Sequence, residues 1–155
     1  MWKRAAVACA LLTAVACSKP VDLKQALQVT DYSSGWFDAG IVDGKNKLVP
    51  TVAFKLRQAE GTGLSNAALT IVFKFADSGE EHDNVFVQRV DFDGSVSKPV
   101  SVRSQTGYTG DPPQSRADML KNSHFRDMDV EIFARQSSNW VSLHKARIDR
   151  VLLTK

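Results

Sequence analysis

The chain has 155 residues, of which 43% are hydrophobic and 24% are charged, and its formal net charge is +3. This length suits one domain, since domains commonly hold roughly 100–150 residues, and the apolar content excludes a chain that is disordered throughout. Its apolar stretches are shorter than the ~18 residues that a membrane-spanning helix requires, which excludes a polytopic membrane protein.

The first sixteen residues have the layout of a secretory signal. Lys3 and Arg4 supply positive charge, and residues 5–16 are apolar except for Thr13. A basic start, an apolar stretch of about 7–15 residues and a site of small residues are typical of such signals. We therefore predict that residues 1–16 form a signal peptide that is removed on export.

Cys17 directly follows the small residues Ala14, Val15 and Ala16. In this respect the sequence resembles a bacterial lipoprotein signal, in which small residues precede a cysteine that becomes lipidated. The resemblance implies a diacylglyceryl group on Cys17 and usually an amide-linked acyl chain, which together anchor a domain durably in a bilayer. It also implies the outer membrane, facing the periplasm, because Ser18 stands where Asp favours inner-membrane retention. The alternative is ordinary cleavage after Ala16, which leaves a free thiol on Cys17.

Removal of the leader changes the charge balance. The full chain has 20 basic and 17 acidic residues, and cleavage after Ala16 removes Lys3 and Arg4. The remaining net charge of +1 is far from the concentrated basic face that nucleic-acid binding requires. We therefore expect no nucleic-acid partner.

Residues 17–24 are predicted to form a short lipidated tether, and residues 25–155 a single β-domain. In this domain apolar and polar residues alternate with a period of two, which is typical of strands with one buried and one solvated face. The segment 85–92 is more uniformly apolar, as in a central strand or in a strand covered on both faces. The alternating segments are 27–29, 52–56, 69–75, 100–102 and 130–132.

Residues that favour turns separate these segments. Gly, Asp and Ser residues that accept a positive φ stand at 43–44, 61–63, 77–79 and 93–94, and residues 137–139 predict a hairpin loop. Strands with such breaks predict an all-β fold, an antiparallel immunoglobulin-like β-sandwich of about seven strands. The last stretch, residues 140–153, is predicted to form one long strand.

One segment between the late strands predicts a helix. Ser115 is a good N-cap residue, Asp118 stands three positions later, and residues 115–121 contain good helix formers. This is the outline of a capping box with Asp in place of Glu. We therefore expect a single short helix in this region.

Three short segments carry a further resemblance. They are GWFDAG at residues 35–40, KLVP at 47–50 and GYTG at 107–110. With them the chain resembles an uncharacterised family of small bacterial lipoproteins that have an immunoglobulin-like or fibronectin-like domain, over residues 25–155. The resemblance implies the same β-sandwich fold and the same envelope location. It carries no established activity, so it implies no catalytic residue.

Three aromatic residues in these segments are the best candidates for a binding site. Trp36 and Phe37 stand between glycines, as does Tyr108, and we predict that all three lie in loops. Exposed loop aromatics provide rigid contact area for proteins or sugars. The alternative is that Trp36 or Phe37 folds back and fills one end of the sandwich.

The sequence therefore favours a non-catalytic interaction or structural module. It would be anchored in the bilayer through acylated Cys17 and would bind another envelope protein through its loops or an edge strand. The alternative is a module that binds glycan or cell-wall polymer and uses Trp36 and Tyr108 as stacking platforms.

We expect no enzyme, no cofactor and no metal site. The three histidines and the serines show no spacing typical of nucleophilic catalysis. The acidic residues at 80–83 and 91–93 lack the spacing of a calcium loop. Met119, His124 and Met128 are soft or nitrogen ligands that suit copper, but methionines on a helix and at a strand start more often serve core packing.

Overall fold

A computed structural model describes residues 20–153 of the chain. Strands account for 61% of these residues and helices for 6%, which confirms the predicted all-β class. The predicted signal peptide (1–16), the lipidation site Cys17 and the first residues of the tether lie outside the described residues. Within residues 20–153, no helix is long and apolar enough to cross a membrane.

The described chain forms ten strands and two one-turn helices. The helices are α1 (Leu23–Ala26) and α2 (Arg116–Met119). The strands are β1 (Leu27–Val42), β2 (Lys45–Gln58), β3 (Asn66–Phe75), β4 (Glu81–Asp93), β5 (Val96–Ser97), β6 (Val100–Arg103), β7 (Tyr108–Gly110), β8 (Met128–Gln136), β9 (Asn139–Arg147) and β10 (Leu152–Leu153).

The strands form one curled, mixed sheet. Its order is β10-β1-β2-β5-β4-β3-β8-β9, and β6 and β7 also pair with β2. The β1–β10 pair is parallel, and the other pairs are antiparallel. The predicted seven-stranded antiparallel sandwich is therefore not confirmed. The two halves of the observed sheet are joined by β4, which pairs with β3 along most of its length and with β5 at Phe92 and Asp93.

The hydrophobic core fills the inside of the curl. Inward residues of β2, β3 and β8 alternate with outward residues, as the period of two predicted. Burial of each such aliphatic or aromatic side chain contributes roughly 1.5–3 kcal/mol. The buried apolar residues run from Leu23 to Ile148, so segments along nearly the whole described range contribute to one core. The fully buried ones include Leu48, Val52, Leu56, Leu69, Ile71, Phe73, Val130 and Ile132.

The predicted turns and helix are confirmed. Residues 43–44 connect β1 to β2, with φ of 51° at Asp43 and 77° at Gly44, and residues 137–138 connect β8 to β9. Ser115 is the N-cap of α2, and its Oγ accepts a hydrogen bond from the Asp118 N–H at 3.1 Å. The helix occupies one turn, so it is shorter than the predicted segment 115–121.

The prediction of one strand over residues 140–153 is wrong. β9 ends at Arg147, Ile148 enters the core, and the chain then turns to place β10 beside β1. Two hydrogen bonds join Ser34 to Asp149 across this turn: the Ser34 hydroxyl donates to Oδ2 at 3.1 Å, and the Asp149 N–H donates to Oγ at 3.0 Å. These partners are far apart in sequence, so local alternation could not reveal the break.

Candidate functional site

Trp36 and Phe37 lie within β1 and not in a loop, which corrects the prediction. Adjacent residues of a strand point to opposite faces, and Trp36 points inward with 0% exposure. Its ring centroid is 4.6 Å from that of Phe125 in an edge-to-face arrangement. While this packing persists, Trp36 cannot act as a stacking platform for a ligand.

Gly35, the residue before Trp36, allows β1 and β10 to approach each other closely. A Cβ on Gly35 would lie 2.7 Å from Leu153 Cγ and 2.9 Å from the Val151 carbonyl oxygen. That carbonyl accepts the Trp36 N–H at 2.8 Å. The glycine therefore allows β10 to dock against β1, which explains why a strand here carries a residue that usually signals a loop.

Tyr108 also differs from its predicted loop position. It begins the short strand β7, which pairs with β2, and it is half-buried. Its ring centroid is 5.0 Å from that of Phe125. Phe125 therefore contacts both Tyr108 and Trp36. Of the residues for which the sequence offered a folded-back ring as the alternative, Trp36 is the one that packs inside. Phe37 is the remaining predicted site residue on the outer surface.

Phe37 supports a stacked arginine on the outer face of β1. The guanidinium carbon of Arg103 lies 3.4 Å from the Phe37 ring centroid, which is a close cation–π contact. Arg103 is exposed and makes no ion pair within residues 20–153. Stacking on the ring fixes the plane of the guanidinium and leaves the N–H groups along its edges free to donate hydrogen bonds. The spacing of these N–H groups matches two oxygens of a carboxylate or phosphate.

A pocket of about 610 Å³ opens beside this pair. Its wall combines the Phe37 ring and the Arg103 guanidinium with the leucines of β10. Asp38 lines it too, and its carboxylate accepts hydrogen bonds from the Arg116 guanidinium at 3.2 Å and the Gly40 N–H at 2.8 Å. The pocket can therefore hold an apolar side chain next to an anionic group. The remaining lining residues are Ala39, Gly40, Leu152 and Leu153.

The end of β1 beside this pocket is a free sheet edge. Among the described residues, β10 pairs with β1 only at Trp36 and Phe37, so residues 38–42 have no strand on that side. Ile41 is 63% exposed and Val42 is 38% exposed. Unpaired backbone groups of an edge strand can accept a strand from another chain. A bulge at Ala39, where Gly40 has φ of 81°, shortens the regular edge. We call Phe37, Arg103 and residues 38–42 the β1-edge surface.

A second polar cluster lies between β1 and the C-terminal segment. The Tyr32 and His144 rings are 4.7 Å apart, and the Tyr32 hydroxyl and His144 Nε2 are buried without a hydrogen-bond partner among the described residues. Burial raises the pKa of Tyr32 above its usual range, and the Asp149 carboxylate adds to the rise. The nearby Ser34 side chain offsets part of this rise in the Tyr32 pKa, but its hydroxyl donates its hydrogen bond to the Asp149 carboxylate. Because Ser34 bonds to a carboxylate and not to His144, this is no nucleophile–base pair.

The acidic and sulfur-containing residues considered for metals have other roles. Partial burial alone would raise the pKa of Asp83, but hydrogen bonds from Ser104 and the Gln105 N–H lower it overall. Met119 and Met128 are buried in the core. Within residues 20–153, no group of three or more His, Cys, Asp or Glu side chains is placed to hold a metal ion.

Sequence reasoning missed Arg103 and the edge of β1. Arg103 is one of many basic residues in the chain, and its contact with Phe37 is made across strands. The exposed pair Ile41-Val42 just before the Asp43-Gly44 turn was the one available signal for an apolar edge.

Comparison of the chain with protein-family models, with curated proteins and with solved structures gives no significant match.

Proposed function

We propose that the protein is a lipid-anchored envelope protein whose domain is a non-catalytic interaction module. In this proposal, acylated Cys17 holds the domain at a membrane, and the β1-edge surface binds an extended segment of another envelope protein. We further propose that the curled sheet is a variant of an immunoglobulin-like sandwich. One layer would contain β1, β2, β5, β6 and β7, and the other would contain β3, β4, β8 and β9.

The observation that supports the binding mode is the free edge at residues 38–42 beside the pocket. A partner strand would pair its backbone with this edge, which gives affinity with little sequence preference. Specificity would come from an apolar side chain in the pocket and a carboxylate that accepts hydrogen bonds from Arg103. The groups required for this mode are neighbours: the free edge belongs to β1, Arg103 of β6 stacks on Phe37, and the leucines of β10 line the pocket.

The glycan alternative has less support. It relied on Trp36 and Tyr108, but Trp36 is buried and Tyr108 packs against Phe125. Phe37 is covered on one face by Arg103. We therefore favour a protein partner at this surface.

Site-specific photo-crosslinking tests the proposed surface. A photoreactive amino acid at Ile41 is expected to give a discrete cross-linked protein product in native envelopes, and the same residue at Phe86, which is comparably exposed on the other side of the core, is expected to give none. Ile41→Lys should abolish binding of the purified, identified partner, because charge on an edge strand blocks pairing. Equal products from both positions, or undiminished binding by Ile41→Lys, would overturn the proposed surface.

Metabolic labelling with an acyl-chain precursor tests the anchor. Cys17→Ser should remove the label and release the domain from membranes, and an exposed serine change such as Ser33→Ala should do neither. Retention of the label in Cys17→Ser would refute lipidation at this residue.

A further inference from the structure

Two exposed aromatic residues form a contacting pair on a different face of the molecule. Phe86 is 53% exposed and Trp140 is 41% exposed, and their ring centroids are 6.0 Å apart at an interplanar angle of 89°. Phe86 lies opposite Thr70 in β3, and Trp140 lies opposite Arg135 in β8. Both rings therefore lie on the outer face of the β4-β3-β8-β9 layer, on the other side of the core from Phe37.

This face also carries apolar surface between the two rings. Phe133 projects outward from β8 and lies opposite Thr70, which in turn lies opposite Phe86, so Phe133 lies between the strands that carry the two rings. Val72, two residues further along β3, projects to the same face and is nearly covered, whereas Phe133 is half-buried. A contiguous apolar patch on a small domain is typical of an interaction site, whereas single exposed apolar residues are ordinary.

The position of the chain before α1 indicates what covers this patch. The Gln136 side chain donates to the Val21 carbonyl oxygen at 2.7 Å, which fixes Val21 beside the β8–β9 turn. Trp140 is the second residue of the strand that follows this turn. Cys17 precedes Val21 by four residues, and four fully extended residues span at most about 14 Å. An acyl anchor on Cys17 therefore holds the bilayer close to the end of the molecule that carries Trp140.

The charges near the patch suit an anionic bilayer. Arg135 and Lys145 are exposed on the same face, and neither lies within ion-pair distance of a carboxylate among residues 20–153. Glu131 lies opposite Lys145 and is bonded to Lys74 at 3.1 Å, and the charge of Lys145 contributes to the lowered pKa of this carboxyl. Tryptophan is favoured at the membrane interface because its ring is apolar with one polar edge, and unpaired cations are attracted to anionic headgroups.

We propose that the outer face of the β4-β3-β8-β9 layer rests on an anionic bilayer surface, with Phe86 and Trp140 inserted at the interface. This proposal rests on the proposed lipid anchor at Cys17. It has a directional consequence: the β1-edge surface, on the other side of the core, faces away from the membrane towards a partner.

Tryptophan fluorescence on vesicles tests the orientation. The chain that begins at Cys17 retains a complete core and has two tryptophans, the buried Trp36 and the exposed Trp140. Coupling of the Cys17 thiol to a maleimide lipid reproduces the anchor without cellular acylation. The vesicles contain phosphatidylcholine and phosphatidylglycerol with brominated acyl chains, which quench only rings inserted among them. The expected result is quenching of the wild type that is lost in Trp140→Phe, where buried Trp36 is the reporter.

Binding of the untethered domain tests the charges. Arg135→Ser and Lys145→Ser should each weaken partitioning into anionic vesicles about fivefold. Phe86→Ser should weaken it as well. The control Val151→Ser removes a comparably exposed apolar residue outside the patch and should leave partitioning unchanged.

Three outcomes would overturn the proposal. The first is the absence of bromine quenching in the tethered wild type. The second is a shift of Trp140 emission with protein density at constant lipid, which indicates that a second copy covers the patch. The third is a shift of Trp140 emission with soluble cell-wall polysaccharide and not with lipid. Because the tether is chemical, failure of acylation in cells is detected separately by the labelling of Cys17→Ser.

Discussion

Replacement of Trp36 distinguishes a core residue from a binding residue. Trp36 has 0% exposure, and its ring lies edge-to-face against Phe125. Truncation of such a residue to alanine costs about 3–5 kcal/mol, a large part of the roughly 5–15 kcal/mol by which domains are stable. At roughly 4 °C per kcal/mol, Trp36→Ala should lower the melting temperature by about 12–20 °C.

Trp36→Phe refines the same test. The indole N–H of Trp36 is buried without a hydrogen-bond partner among the described residues, and a buried unpaired donor costs about 1–3 kcal/mol. Phenylalanine removes this donor and keeps an edge-to-face contact with Phe125, so the gain offsets part of the loss of volume. Trp36→Phe should therefore cost less than half of what Trp36→Ala costs.

Thermal and denaturant unfolding followed by circular dichroism measures both variants. Trp140→Ala is the matched control, since Trp140 is 41% exposed and its truncation should change the free energy of unfolding by only about 1 kcal/mol or less. Equal losses for Trp36→Ala and Trp140→Ala would refute the assignment of Trp36 to the core. Equal losses for Trp36→Ala and Trp36→Phe would show that the indole N–H carries no penalty in the folded protein.

Three further changes test other contacts. Gly35→Ala places a Cβ within 2.7 Å of Leu153 Cγ and should lower the free energy of unfolding by about 1–3 kcal/mol. Amide hydrogen exchange in β10 should become faster, and unchanged exchange there would contradict the close approach of β1 and β10. Glu131 is partly buried, which raises its pKa, but hydrogen bonds from Ser142 and Lys74 lower it overall. A lowered folded-state pKa stabilises the fold above the unfolded pKa of about 4.3 and this contribution is lost as pH falls through the folded value. Glu131→Gln should therefore be less stable than wild type at pH 7 and approach it in stability below about pH 4, and a constant difference across this range would refute the shift. Ser115→Ala should cost about 1 kcal/mol through loss of the N-cap, whereas Ser115→Thr should cost less, and equal melting temperatures for all three would show that the cap contributes nothing.

The sequence predicted the features that depend on neighbouring residues. Alternation identified the cores of β2, β3 and β8, turn residues identified the Asp43-Gly44 connection, and Ser115 identified the start of α2. These features follow from local rules on pleat, positive φ and capping. They therefore need no knowledge of the rest of the fold.

The errors arise where distant segments meet. Gly35 indicated a loop, but its role is to admit β10, which lies at the other end of the chain. Trp36 and Phe37 are adjacent and equally aromatic, and only the pairing of β1 decides which one is buried. Trp140 lies on the outer face because it pairs with Arg135, which points outward from β8. Burial and exposure at these positions are set by pairing register, and a shift of one residue exchanges the buried and exposed faces of a strand.

The pairing of β1 with β10 has a consequence for the time at which the protein can fold. Ser34 and Asp149, which join these two regions, are 115 residues apart in the chain. A growing chain emerges with its N-terminus first, so 115 further residues must be synthesised after Trp36 before its backbone partner at Val151 exists. Contacts between such distant residues also form slowly. The pairing of β1 with β10 is therefore completed only after residues 149–153 have been synthesised.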